Sequence, residues 1–163
     1  MRSERGYSLI EVLITLGLIG IVTAISVPVF IESNARNNLW NGSEQIGAAI
    51  RSARLKAISS NTNYRVVFDC PGVGELRILI MDGVTDDDPG RCGVANEGDS
   101  GTIEMPQGVA FDPDGAAHLE VNGRGVFTAF GGAIPLTITV THGGATRTLA
   151  VNLTGQITFT DVQ

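Results

Sequence analysis

Lysine is nearly missing from this chain. Lys56 stands alone beside ten arginines, and the net charge over 163 residues is −6. Past the first six residues only Arg51, Arg54 and Lys56 cluster, so the contiguous basic surface that phosphate backbones require is lacking. Catalytic signatures are lacking as well. There is no G-x-x-x-x-G-K-[ST] loop, no G-x-S-x-G elbow and no zinc spacing. His118 and His142 each stand singly near a turn, with no serine, acid or cysteine partner placed by a motif. A membrane-anchored enzyme survives only as an alternative, and no catalytic residue is assigned. There are just two cysteines, Cys70 and Cys92. No further soft ligand lies near them, which argues against a metal site.

Charge is also absent from Val12 to Ile31, and here the absence is informative. At 1.5 Å per residue this run makes a helix about 30 Å long, the hydrocarbon thickness of a bilayer. It is too long for a signal-peptide core, continues through Pro28, and no convincing small-residue cleavage site comes after it. Arg2 and Arg5, against the single Glu4, orient the amino terminus to the cytoplasm and the remainder outward. Both cysteines then lie on the oxidising side, where a Cys70–Cys92 disulfide is permitted. Closing that loop is worth about 3 kcal/mol in the chain-entropy model, with two free buried thiols as the alternative. One carboxylate, Glu11, sits just before the run. A charge there costs a few kcal/mol and usually has a role.

Beyond the run, residues 32–62 read as a polar and then amphipathic continuation of the helix. Pro28 removes a backbone hydrogen bond and is expected to bend it. Asn41-Gly42 is a second expected weak point, with Ser43 capping the continuation. Ile46, Ala49, Ile50, Ala53 and Ala57 recur at three- and four-residue steps and form a buried stripe. Asn61 and Asn63 end the helix, which from Ser8 to Ser60 is about 80 Å long if fully helical. Residues 63–163 switch to period two. Arg65–Phe68 and Leu76–Ile80 flank a Pro71–Gly74 turn. Leu136–Thr141 alternates strictly and returns after His142-Gly143-Gly144 with Leu149, Val151 and Leu153 on one face. Ile157 and Phe159 come after a turn at Thr154-Gly155, and shorter strands are expected at 102–105, 109–111, 119–121 and 126–130. The fold class is α+β: a long amino-terminal helix packed on a mostly antiparallel β domain of one sheet or two. The stretch 82–100 reads as a polar, irregular loop. Asp82, Asp86, Asp87 and Asp88 make a solvated acidic turn, or alternatively a Ca²⁺ site. EF-hand spacing is absent, and no cofactor is assigned.

Arg5-Gly6-Tyr7-Ser8-Leu9-Ile10-Glu11 resembles the processing site of type IV prepilins and pseudopilins. The resemblance implies a leader at residues 1–6, cleavage between Gly6 and Tyr7 by prepilin peptidase, and N-methylation of Tyr7. Family members usually carry phenylalanine where Tyr7 stands. Loss of the leader moves the side-chain charge from −6 to −7. It also implies that residues 7–31 form a transmembrane and assembly helix, with Glu11 meeting a neighbour's freed amine. A pair within one chain, or a protonated Glu11, is the alternative. Ile50–Ile58 with Asn61, and Arg147–Val151 with Thr154–Ile157, resemble the GspH/FimT group. That group implies a minor pilin of a type IV pilus or a minor pseudopilin of type II secretion. The subunit would be held by lipid in a bacterial inner membrane, its globular domain periplasmic. An assembly platform would then draw it into a filament of other pilins. Some members bind DNA for uptake through arginines near the last glycine. Gln156 and Thr158 occupy those places here, Arg124 and Arg147 read as single solvated strand charges, and nucleic acid is the alternative partner.

Overall fold

The structure, a computed structural model, describes residues 8–81, 83, 86, 90–94 and 96–162. One helix, α1, runs from Leu9 to Ser60. Among the described residues nine strands come after it: β1 (Tyr64–Phe68), β2 (Glu75–Ile80), β3 (Ile103–Glu104), β4 (Ala110–Asp112), β5 (His118–Val121), β6 (Phe127–Phe130), β7 (Leu136–His142), β8 (Ala145–Val151) and β9 (Ile157–Val162). The chain divides into two units, one through Ala35 and one from Arg36 onward.

In the second unit all strand pairs are antiparallel and form two sheets, ordered β3-β2-β1-β5-β6 and β4-β7-β8-β9. The expected hairpin around Pro71–Gly74 is present, with Val66 opposite Ile78. In β1 and β7 alternate residues point inward, the period that buries one face of a half-solvated sheet. Val66, Leu119, Phe127, Ile138 and Leu149 from both sheets meet Ile46, Ile50 and Ala53 of α1 in one core.

Two expectations about the helix are corrected. Asn41-Gly42 does not interrupt it. Gly42 is there for closeness, since a Cβ would lie 2.8 Å from Cγ1 of Val109. Nor does Ser43 cap anything. It is buried in mid-helix, and its hydroxyl donates to the Trp40 carbonyl at 2.7 Å. The real terminus obeys helix stereochemistry. Asn61 takes φ 51° and Thr62 N–H donates to the Ala57 carbonyl, the left-handed, six-to-one closure of a Schellman ending. Leu153 also departs from expectation. It lies beyond β8 in the turn and is exposed, while its carbonyl accepts the Phe127 N–H at 2.9 Å.

Within the stretch 82–100, the described residues 90–94 and 96–100 are better anchored than their polarity suggests. Cys70 and Cys92 form the disulfide. Arg91 and Asp99, both buried, pair through two contacts of 2.6 and 2.7 Å. Asp99 also accepts the backbone N–H of Asn96 and of Ile80, and Ser100 Oγ accepts that of Ile78. These side chains satisfy the edge of β2 where β3 is too short to do so. Burial pushes the Asp99 carboxyl up, but the Arg91 guanidinium and the two backbone donors outweigh it and hold it below the ordinary carboxylate value.

Candidate functional site

The first unit is a helix whose apolar surface is exposed among the described residues. Its most apolar 18-residue window has a mean hydropathy of 2.4 and no buried residue. Leu9 is 79% exposed and Phe30 74%. Both of its threonines satisfy their hydroxyls within the helix. Thr15 Oγ1 donates to the Val12 carbonyl at 2.9 Å, and Thr23 Oγ1 to those of Ile19 and Gly20 at 2.9 and 3.0 Å. A spanning helix in lipid needs this, because no water is there to substitute. Gly17 and Gly20 leave open space where a Cβ would stand. Packing within the chain therefore does not require them to be small, whereas a second helix at close range would.

Glu11 lies in the first turn of α1. The Ser8 carbonyl accepts the N–H of Glu11 at 3.0 Å and of Val12 at 3.2 Å. The Glu11 carboxylate therefore sits at the positive end of the helix dipole. Among the described residues none offers Glu11 a cation. Pro28 lies inside the helix, which continues on both sides. Gly6 and Tyr7 lie outside the described residues, as do Asp82, Asp87 and Asp88. Asp86 uses its carboxylate to accept the Gly83 N–H at 3.0 Å, and its carbonyl accepts from Arg65. Among the described residues no three His, Cys, Asp or Glu side chains gather to hold a metal.

His118 stacks on Phe130 at 4.8 Å and lies 3.2 Å from Glu120, which Arg65 also holds at 2.7 Å. Arg147 is the largest correction. It is not a solvated strand charge but is 4% exposed. Its guanidinium lies 3.6 Å from the Trp40 ring centroid and 4.5 Å from that of Phe159. It donates to Ser43 Oγ at 2.6 Å and pairs with Asp161 at 2.9 Å. It thereby fastens α1 to β8 and β9 and is unavailable to an outside anion. Arg124, by contrast, is exposed. Sequence reasoning missed this role of Arg147 because Trp40 and Ser43, which it touches, lie more than a hundred residues earlier, the Ser43 contact spanning 104. An arginine facing inward on β8 beside Leu149 and Val151 was the available signal.

An uncovered apolar amino-terminal helix joined to a two-sheet antiparallel domain defines a pilin-like protein. Residues 1–27 match the prokaryotic N-terminal methylation motif. Residues 43–155 match the family described as Type II transport protein GspH, and the chain belongs to that family. Over 163 residues it is 26% identical to the pilin-like protein PilA1 of Thermus thermophilus, covering 94% of this chain and 97% of that one. Its fold is similar to that of the type IV minor pilin FimU of Pseudomonas aeruginosa (TM-score 0.57, 16% identity, 78% of this chain and 95% of that chain). It is similar as well to the minor pseudopilin EpsH of the type 2 secretion system of Vibrio cholerae (TM-score 0.50, 16% identity, 78% and 96%).

Proposed function

We propose that this pilin-like chain is a minor subunit that primes or enters a type IV pilus or type II secretion pseudopilus, acting by assembly and not by catalysis. The carrying observation is that the most apolar stretch of α1 has no buried residue among those described, while the second unit has a hydrophobic core of its own. Such a surface first needs lipid and then needs other helices. Prepilin peptidase cuts after Gly6 on the cytoplasmic side and methylates Tyr7, and the globular domain faces the periplasm. An ATP-driven inner-membrane platform then draws the helix from the bilayer. Glu11, with no cation of its own among the described residues, meets the freed amine of a neighbouring subunit, and Gly17 and Gly20 admit close helix contact. Pro28 leaves one carbonyl without its helical donor and gives the helix a place to flex. No cofactor takes part. Against DNA capture stand the burial of Arg147 and the Gln156 and Thr158 side chains at the last turn.

Mass spectrometry of the membrane-extracted protein tests the processing. The native chain should lack residues 1–6, and a bulky residue at Gly6 should retain them. Glu11→Ala should still be cleaved and inserted, yet lose a competition with wild type for incorporation into sheared filaments. Equal incorporation would remove the role given to Glu11.

A further inference from the structure

The outermost strands of a sheet carry N–H and C=O groups with no neighbour. Folded chains guard such edges with short strands, proline, charge or a cover. Among the described residues three of the four edges are guarded here. β3 has two residues, and β4 has three, set between Pro106 and Pro113. β6 has four, and the Leu153 carbonyl takes its Phe127 N–H at 2.9 Å. The fourth edge, β9, runs six residues with no proline, glycine, lysine or arginine. Its one charge, Asp161, is turned to Arg147 at 2.9 Å.

The Asn152 N–H donates to the Gln156 carbonyl at 3.1 Å, which fixes the alternation along β9. Thr158 and Thr160 turn their backbone groups to β8. Ile157, Phe159 and Asp161 turn theirs away, where no hydrogen-bond partner meets them among the described residues. α1 passes beside this edge. Trp40, Glu44, Gly47 and Arg51 are spaced by four, three and four residues and share one helix face. A Cβ on Gly47 would lie 3.2 Å from Cζ of Phe159 and 3.7 Å from Cδ1 of Ile157, so that face stands at β9. Trp40 is 52% exposed, although the Arg147 guanidinium lies 3.6 Å from its ring centroid and holds the ring in place. A held, half-exposed tryptophan is the kind of anchor that carries binding energy at protein interfaces.

We infer that β9 receives an extended segment of a different pilin in the filament as an added strand, with an apolar side chain of that segment laid on Trp40. Only another extended backbone presents donors and acceptors at the spacing of a strand edge. α1, on which the assembly reading rests, is itself one wall of the contact, so the two surfaces are continuous along one helix. The contact depends on that reading and adds to it the globular surface that touches a neighbour. Main-chain bonds hold the segment, and Trp40 selects among its alternate side chains.

Asp161→Pro removes one outward N–H and leaves the β8 ladder intact, because an edge strand tolerates proline where its N–H faces out. Asp161→Asn controls for the lost carboxylate. In competition with wild type for incorporation into sheared filaments, Asp161→Pro should fall about tenfold, the loss expected of one or two strand hydrogen bonds. Asp161→Asn should stay near wild type, with the same melting midpoint as Asp161→Pro. A photocrosslinking residue in place of the exposed Thr160 decides the matter on an unaltered backbone. In intact filaments it should join this chain to another pilin. Equal incorporation of Asp161→Pro and Asp161→Asn overturns the inference. So does crosslinking only to a second copy of this chain, to a protein that is not a pilin, or to nothing. Wild type missing from sheared filaments overturns the assembly reading itself, whereas wild type present with any of those results overturns the strand addition alone.

Discussion

Replacing Arg147 tests the joint between α1 and the carboxy-terminal sheet. Arg147→Ala removes stacking on Trp40 and Phe159, each contact worth about 0.5–2 kcal/mol depending on desolvation. It also removes the hydrogen bond to Ser43, worth about 1 kcal/mol, and leaves that buried hydroxyl without its donor. Asp161 is 65% exposed, so its ion pair with Arg147 is screened and contributes at most about 0.5 kcal/mol. The sum is about 3 kcal/mol. For a unit of this size that lowers the melting midpoint by about 10 °C. Trp40 is the chain's single tryptophan, so its fluorescence reports unfolding at the joint itself. Arg147→Lys should recover under half of the loss, because an ammonium cannot lie flat between two rings. Asp161→Asn should cost little. A wild-type melting midpoint in Arg147→Lys, or a loss in Asp161→Asn equal to that in Arg147→Ala, would refute this account of the joint.

Three further outcomes are expected. Gly155 has φ 72°, and a Cβ there runs into the Phe127 ring, so Gly155→Ala should lose about 2 kcal/mol or more in urea unfolding. Asp99 has a lowered folded-state pKa. Its stabilisation is therefore present above the unfolded value near 3.8 and is lost as pH falls through the folded value. The urea midpoint should drop in that acid range, and Asp99→Asn, though less stable at neutral pH, should show a smaller acid drop. Cys70→Ser with Cys92→Ser opens a 22-residue separation and should cost about 3 kcal/mol, read as a shift in the same midpoint.

Patterns that repeat locally were legible in the residues alone. The uncharged run announced an exposed apolar helix, the three-and-four spacing of Ile46, Ile50, Ala53 and Ala57 announced its buried face, and strict alternation located β7. Each is a property of neighbouring residues, because helix and strand periods are set by the backbone. Gly42 and Ser43 were misread for the complementary reason. Glycine and serine are ambiguous in isolation, and only Val109 and Arg147, brought up from far along the chain, show why a small residue and a hydroxyl are wanted there.

The methylation motif, the exposed apolar helix and the fold class thus belong to the sequence alone, since short-range geometry and transfer free energy act residue by residue. Tertiary structure alone decided that Arg147 is a buried fastener while Arg124 stays outside. It also decided that Arg91 and Asp99 pin the described residues around them to the edge of β2. Strand order and turn packing determine which charges become neighbours and which lose water, and neither is written in the spacing of one segment.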